Sequence, residues 1–148
     1  MKFKIIGKIG EDTLWQFLFM LERAKPKEAV EITIHSQGGS GEVALSITNI
    51  IEENPKRFVV IGIGRVESAA YWIMAKAGKR VAYKDTIFMF HRPTLENSSF
   101  WERWGHKKKL GPFVRRQKEL SNPIRTGARA RYFTAQEVLQ MGLIDEIV

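Results

Sequence analysis

Segments with the period of a β-strand alternate along this chain with segments that have the period of an α-helix. Ala29–His35 alternates apolar and polar residues and is rich in β-branched side chains, whereas Glu42–Glu53 carries apolar residues at helical spacing. The same change recurs between the buried strand predicted over Arg57–Gly64 and the helix predicted over Ser68–Lys76. Strands that alternate with helices pair in parallel, so we predict an α/β fold with a largely parallel sheet.

Further elements are predicted on both sides of this central part. They are a strand over Phe3–Gly7, a helix from Glu11 to Pro26, strands over Arg80–Tyr83 and Thr86–Phe90, a helix over Phe133–Met141 capped by Thr134 and Glu137, and a closing strand over Leu143–Val148. The chain has 148 residues, which is the length of one domain, so we expect a single domain over residues 1–148.

The chain contains no cysteine, which excludes disulfides, a thiol nucleophile and thiolate metal sites. No apolar run approaches the roughly 18 residues that span a bilayer, and a strand-like run follows Met1 without a signal peptide. We therefore expect a cytoplasmic protein without a membrane partner, a metal or a cofactor.

The net charge of +8 is concentrated in one segment. Residues 101–131 hold ten Lys or Arg and two Glu, so the remainder of the chain is neutral. Such a segment could bind nucleic acid or another acidic partner. It contains no nucleic-acid-binding motif, and the interpretation that we prefer is a solvated helical arm.

Three short motifs carry residues that could take part in chemistry. The first, Ser36–Ser40, has two glycines between a predicted strand and a predicted helix, and their backbone N–H groups could bind an oxyanion. An ordinary tight turn would use the same residues. His35 lies directly before this turn and could be a neighbour of a site there.

The second motif, Gly62–Ala70, runs from a buried strand through a turn into a helix, with Ser68 at the head of that helix. A hydroxyl there can attack a carbonyl while free helix N–H groups stabilise the resulting oxyanion. A serine is also a common N-cap at this position, so the motif alone leaves both alternatives open.

The third motif, Phe88–Pro93, places His91 at the end of a strand that Pro93 stops. A histidine at that rim could take the proton of Ser68 and pass it to a leaving amine. A lone histidine is more often structural. His106, the remaining histidine, lies inside the basic segment and is expected to be solvated.

Taken in order, these motifs resemble the proteolytic subunit of the Clp protease, ClpP, over nearly the whole chain. The matching segments are Ser36–Ser40 (Ser-Pro-Gly-Gly-Ser in the family, with Gln37 here in place of proline), Gly64–Ala70, Met89–Pro93, Phe133–Glu137 and Gly142–Asp145. The resemblance implies the ClpP/crotonase fold, a repeated β-β-α superhelix, with residues 97–131 as a short, basic helical handle.

The resemblance also implies roles for individual residues. Ser68 would be the nucleophile and His91 the general base and acid, with the backbone N–H groups of Gly39 and Ala69 as the oxyanion hole. The substrate would be an extended polypeptide that adds as a strand. Its strand contacts would be Gly38, Arg92, Pro93 and Thr94.

The resemblance breaks at the third member of the catalytic triad. The family has an aspartate four residues before the Ser or Thr of the closing helix, and here that position is Ala130. Losing a triad acid costs on the order of 10⁴ in turnover. Another carboxylate could serve, the site could be a weak Ser-His dyad, or the protein could be inactive. The candidate carboxylates are Glu67, Asp85 and Glu96.

As in the family, we expect a homo-oligomeric ring. The first helix supports this expectation because its apolar residues lie on more than one face, one for the core and one for a neighbouring subunit. They are Trp15, Phe17, Leu18, Phe19 and Met20. A fully buried helix is the alternative.

A second acid of the family, used in contacts between rings, is also replaced, by Ala128. Two further departures weaken the expectation of a AAA+ unfoldase partner: the handle is short, and the sequence begins at the first strand, without the family's amino-terminal axial loops.

The leading prediction is thus a serine endopeptidase. The alternatives are a non-catalytic ClpP-like scaffold, which Ala130 favours, a crotonase-type acyl-CoA enzyme, which the pairing of Ser68 with His91 disfavours, and nucleic-acid binding by the basic arm.

Overall fold

The computed structural model describes residues 1–91, 111–127 and 129–148. The strands in these ranges are β1 (Lys2–Ile6), β2 (Val30–Ser36), β3 (Phe58–Glu67), β4 (Lys79–Ala82), β5 (Ile87–Phe90), β6 (Arg131–Thr134) and β7 (Glu146–Ile147). The α-helices are α1 (Glu11–Arg23), α2 (Gly41–Glu53), α3 (Ala69–Ala75), α4 (Gly111–Ser121) and α5 (Ala135–Gln140), and a short 3-10 helix covers Pro55–Arg57. None of the helices in these ranges is long and apolar enough to cross a bilayer.

The seven strands form one sheet, and it is mostly parallel. Its main path runs β1-β2-β3-β4-β7, with every neighbouring pair parallel. β5 adds in parallel to β3, and β6 is antiparallel to β5. The predicted α/β class with a largely parallel sheet is confirmed.

Strand β3 pairs with two strands in succession along the edge opposite β2, and the candidate site lies at the corner where they meet. Its first half, Val59–Gly62, pairs with β4, and its last residues, Arg65–Glu67, pair with β5. The register between β2 and β3 shifts at the same level, between Ile34 and Ser36. Beyond Gly62, β3 therefore pairs with β5 in place of β4, keeps a pair with β2 at Val66, and continues into α3.

An aromatic cluster packs beneath this corner. Tyr71 of α3 meets Phe88 and Phe90 of β5 edge to face, with ring centroids 6.3 and 5.0 Å apart, and Phe90 meets Phe133 of β6 at 5.8 Å. The Tyr71 hydroxyl donates to the carbonyl of Leu143 at 2.9 Å. Burial raises the pKa of Tyr71 to about 12, so this donor keeps its proton at neutral pH. The cluster fixes α3 against the two strands that carry the candidate site.

Helix α1 has one buried face and one exposed apolar face. Phe17 and Met20 are buried in the core, whereas Trp15 is 71% exposed and Phe19 is 56% exposed. The guanidinium of Arg23 stacks over the Phe19 ring, 3.2 Å from its centroid. The alternative of a fully buried helix is wrong, and the neighbouring subunit on the exposed face stays a prediction.

The last third of the chain differs most from the predicted bounds. Strand β6 was not predicted, because its four residues become a strand only through pairing with β5, some forty positions earlier in the chain. The final helix accordingly starts at Ala135 rather than Phe133, and the closing strand is reduced to Glu146–Ile147. The predicted capping box is confirmed: Glu137 N–H donates to Thr134 Oγ1 at 3.1 Å, and Thr134 N–H donates to Glu137 Oε1 at 3.4 Å.

Helix α4 is the part of the predicted handle that the structure describes. It has Gly111 and Pro112 as its first residues, and proline is well tolerated in a first turn. Charged contacts join α4 to α2 and α3: Arg116 donates to Glu52 and, at 2.9 Å, to Glu119, while Lys76 lies 3.1 Å from Glu119. Part of the basic segment is thus paired with carboxylates of the protein's own surface.

Candidate functional site

Ser68 lies at the sharp turn between β3 and α3. Its φ of 54° and ψ of −124° make it the only non-glycine with positive φ among the residues that the structure describes. Its N–H donates to the carbonyl of Met89 at 2.7 Å, and its hydroxyl accepts no capping hydrogen bond. Strained backbone of this kind costs of order 1–3 kcal/mol and clusters at functional sites. Ser68 therefore does not act as the ordinary N-cap that its position allowed.

The glycine turn packs directly against Ser68. A Cβ added to Gly38, whose φ is +91°, would lie 2.8 Å from the carbonyl oxygen of Glu67, 3.1 Å from Ser68 Cβ and 3.3 Å from the nitrogen of Ala69. Only glycine allows so close an approach. The structure thus brings together two motifs that lie thirty residues apart in sequence.

Residue Ile9, just after β1, holds the glycine turn from the other side. Ile9 N–H donates to the Gly38 carbonyl and Ser40 N–H donates to the Ile9 carbonyl, both at 2.9 Å. A Cβ on Gly39 would lie 2.3 Å from the Ile9 oxygen. Ser40 then caps α2 through its hydroxyl, which accepts from Val43 N–H at 3.2 Å. The turn is fixed along its length.

Two backbone N–H groups remain available next to Ser68. The N–H groups of Gly39 and Ala69 have no hydrogen-bond acceptor within the described part of the chain. Ala69 is buried and is the first residue of α3. Free N–H donors beside a hydroxyl are the components of an oxyanion hole.

His91 follows the last residue of β5, beside the Ser68 turn. The parallel register pairs Glu67 with Met89, so the next positions on the two segments are Ser68 and Phe90, with His91 one residue further. His91 is half-buried, and its carbonyl accepts a hydrogen bond from Gln117 Nε2 at 3.1 Å. The structure thus gathers Ser68, His91 and the glycine turn at one corner of the sheet.

Ala130 lies at the position opposite His91. The antiparallel register between β5 and β6 pairs Phe90 with Arg131, and one step further along both segments come His91 and Ala130. Ala130 is exposed. His91 and the alanine at the position that the family resemblance assigns to an acid are therefore the next residues beyond the last pair of the ladder.

The acids that could substitute for the triad aspartate differ in their position relative to His91. Asp85 precedes β5, whereas His91 follows it, so a strand of four residues, about 13 Å long, separates them. That separation excludes Asp85 as a partner of His91. Glu67 is half-buried and lies next to Met89 at the end of β3. Glu96 lies outside the described residues, as do Arg92, Pro93, Thr94, His106 and Ala128.

His35 is occupied by a backbone contact. Its Nδ1 lies 3.0 Å from the carbonyl oxygen of Ile63, to which it donates, and its ring fills the space in which a side chain at Gly64 would lie. His35 is a neighbour of the glycine turn, as predicted, and it joins β2 to β3 there.

Gln117 is a buried polar residue at the site that the sequence did not indicate. It is 2% exposed, although it belongs to a helix composed mainly of polar residues. No local pattern distinguishes this glutamine from its exposed neighbours. Its position depends on how α4 packs against the end of β5.

Comparison with known proteins agrees with this geometry. Residues 5–100 match the model of the Clp protease family, a range that contains the glycine turn, Ser68 and His91. The solved structure of a ClpP1 mutant from Listeria monocytogenes is 26% identical and superposes with a TM-score of 0.77 over 99% of this chain and 90% of that one. This match confirms the predicted ClpP-type fold.

Two curated relatives extend the match beyond residue 100. The ATP-dependent Clp protease proteolytic subunit 3 of Streptomyces coelicolor is 24% identical over 97% of this chain and 71% of its own length. Proteolytic subunit 2 of Thermobifida fusca is 26% identical over 88% of this chain and 70% of its own length. The matched range exceeds half of the sequence and includes all three motifs, and so the chain belongs to the Clp protease family.

Proposed function

We propose that this chain is a serine endopeptidase that cleaves extended polypeptides with Ser68 as nucleophile and His91 as general base and acid. The observation that carries this proposal is the backbone of Ser68. It is held at a positive φ, with its hydroxyl free of a capping bond, directly against the glycine turn. An activated nucleophile is commonly presented on a sharp, strained turn of this kind.

The reaction proceeds in two stages. Ser68 Oγ attacks the peptide carbonyl carbon while His91 takes its proton, and the C–N bond then breaks as His91 passes that proton to the leaving amine. A water molecule, deprotonated by His91, hydrolyses the acyl-serine ester and restores the serine. The N–H groups of Gly39 and Ala69 stabilise the negative oxygen in both stages, since each has no other acceptor in the described part of the chain.

The substrate binds as an added strand beside Gly38, with Arg92, Pro93 and Thr94 on its other side. Main-chain hydrogen bonds supply affinity in this mode, so selectivity for sequence is weak. The support for this mode among the described residues is that the turn packs so closely on Ser68 and Ala69 that a Cβ added to Gly38 would lie 3.1 Å from Ser68 Cβ and 3.3 Å from the Ala69 nitrogen.

The alanine at position 130 lowers the turnover that we expect from this site. With no aspartate to orient the imidazole and stabilise its charged form, turnover falls by about 10⁴ relative to a complete triad. Residual catalysis then depends on the oxyanion hole and on substrate binding. The site we propose is therefore a slow Ser-His dyad, unless Glu67 or Glu96 reaches His91.

The second candidate function is a non-catalytic scaffold subunit that occupies places in a mixed ring. The position of Ala130 opposite His91 favours it. Under this alternative the chain would not hydrolyse peptides alone and would co-assemble with an active relative.

We also propose that the chain assembles into a homo-oligomeric ring through the exposed face of α1. Trp15 and Phe19 place large apolar surface in solvent there, and such surface marks interaction sites. The curated relatives are named as proteolytic subunits of an ATP-dependent Clp protease, and a AAA+ ATPase is the corresponding partner class for this chain, against which its short handle segment counts.

Hydrolysis of fluorogenic peptides by the purified chain tests the activity. We expect slow cleavage that Ser68→Ala abolishes and Ser46→Ala leaves unchanged, since the Ser46 hydroxyl donates to the Glu42 carbonyl on an exposed part of α2. Equal hydrolysis by the Ser68→Ala variant and the wild type would contradict the proposal. No hydrolysis, together with incorporation into the ring of an active relative, would establish the scaffold function instead.

A further inference from the structure

We infer that Gln117 is a positioning residue for His91, an inference that rests on the proposed function. Its side-chain amide donates to the main-chain carbonyl of His91 at 3.1 Å. This bond joins α4 to the one residue of the proposed dyad that lies beyond the end of a strand.

The bond lies at the point where regular pairing ends. β5 pairs with β3 as far as Met89 and with β6 as far as Phe90, so the sheet ladder does not include His91. The half-buried carbonyl of His91 lies beyond the ladder, and the amide of Gln117 donates to it there. The amide thus fixes the backbone from which the imidazole projects.

Packing and ion pairs of α4 restrict the movement of this donor. Gln117, Leu120 and Ser121 are 2%, 3% and 1% exposed and share one face of the helix at the spacing i, i+3 and i+4. On the adjacent side, Arg116 is paired with Glu52 and Glu119. The helix is therefore anchored both by apolar packing and by charge, and the amide of Gln117 has little freedom to leave the carbonyl.

The loss of the triad acid increases the importance of this bond. In a complete triad the acid orients the imidazole through Nδ1, and the methyl group at position 130 cannot. The bond to Gln117 holds the backbone of His91 and so contributes to the orientation of the imidazole. A displacement of about 1 Å in a reacting group can cost on the order of 10²-fold in rate.

The test compares Gln117→Met, which keeps most of the side-chain volume and removes the donor, with Gln136→Met on the exposed surface of α5. We expect Gln117→Met to lower kcat by about 10- to 100-fold with KM within about twofold, and to slow fluorophosphonate labelling of Ser68 by a similar factor. Gln136→Met should match the wild type in all three measurements. A side chain that only stabilised the fold would change the melting temperature and not the rate per folded molecule.

A second variant keeps the inference testable if Gln117→Met folds poorly. Gln117→Glu preserves shape and polarity, but its ionised carboxylate cannot donate to the His91 carbonyl at neutral pH. Wild-type kcat in a folded Gln117→Met or Gln117→Glu protein would overturn the inference. Failure of both variants to fold would also overturn it, because the residue would then serve the fold alone. Absence of hydrolysis and labelling in the wild type would instead refute the proposed function.

Discussion

The two sides of the candidate site depart from the family to different degrees. On the nucleophile side, the glycine turn, the strained Ser68 and the free N–H groups are all present, and backbone contacts hold them in place. On the histidine side, the sheet ladder ends at Phe90, and the position opposite His91 carries an alanine. We call the nucleophile side, which backbone groups form, the backbone half of the site. The histidine side, which individual side chains form, is the side-chain half.

This contrast explains how the chain can keep the family fold with an alanine at position 130. The close approach of Gly38 to Ser68 depends on strand register and on glycines, and a single substitution there would disturb the whole corner. Ala130 is exposed at the start of β6, and its side chain can change without any repacking. The backbone half is therefore constrained by folding, whereas the side-chain half is constrained only by catalysis.

The largest expected effect comes from restoring the missing acid with Ala130→Asp. Position 130 and His91 are each one residue beyond the Phe90–Arg131 pair, so the new carboxylate should accept from the imidazole and raise kcat by about 10²- to 10⁴-fold. The isosteric Ala130→Asn variant is the control and should gain far less. Equal rates for the two variants and the wild type, measured by peptide hydrolysis, would show that another group already serves the histidine.

The next effect tests the backbone half. Gly38→Ala places a methyl group 2.8 Å from the Glu67 carbonyl oxygen at a φ of +91°, so the turn must shift and the oxyanion hole with it. We expect kcat to fall by about 10²- to 10³-fold, the cost of losing an oxyanion donor. Gly10→Ala is the matched control, since no heavy atom lies within 4 Å of its added Cβ. An active, folded Gly38→Ala protein would place the proposed hole elsewhere.

A smaller effect concerns assembly. Trp15→Glu adds charge to the exposed apolar face of α1, and loss of an aromatic anchor costs on the order of 2 kcal/mol, about 30-fold in association. Native mass spectrometry should show the Trp15→Glu oligomer dissociating at protein concentrations at which the wild-type oligomer stays assembled. Gln16→Glu introduces the same charge on the neighbouring exposed residue and should have little effect. A strictly monomeric wild type would refute assembly altogether.

The smallest expected effect is on the free energy of unfolding, and it concerns the ion pair of Asp145 with Arg80 outside the candidate site. Hydrogen bonds from Arg80 lower the pKa of Asp145, so this carboxylate stabilises the fold above its unfolded pKa and loses that contribution as pH falls through the lower folded value. Asp145→Asn should lower the free energy of unfolding by about 1 kcal/mol at neutral pH, with the difference disappearing in acid. Glu146→Gln, in the more exposed pair with Lys79, should change it less. Urea titrations at neutral and acid pH measure both.

The sequence predicted the backbone half of the site better than the rest. Short motifs predict features that depend on local backbone geometry. Examples are the glycine pair, the serine after a buried strand and the capping residue Thr134. Strand β6 and the burial of Gln117 arise from contacts between distant segments. Ala130 could be recognised as a departure in sequence, but only the register between β5 and β6 shows that it lies opposite His91.

The most direct test of the central claim is intact-mass measurement of the chain after treatment with a fluorophosphonate. The account predicts a single adduct on Ser68, absent from Ser68→Ala, retained in Ser46→Ala and formed more slowly in His91→Ala. An unlabelled wild type, an adduct on another residue, or equal labelling of the wild type and His91→Ala would contradict the proposal that Ser68 is a nucleophile activated by His91.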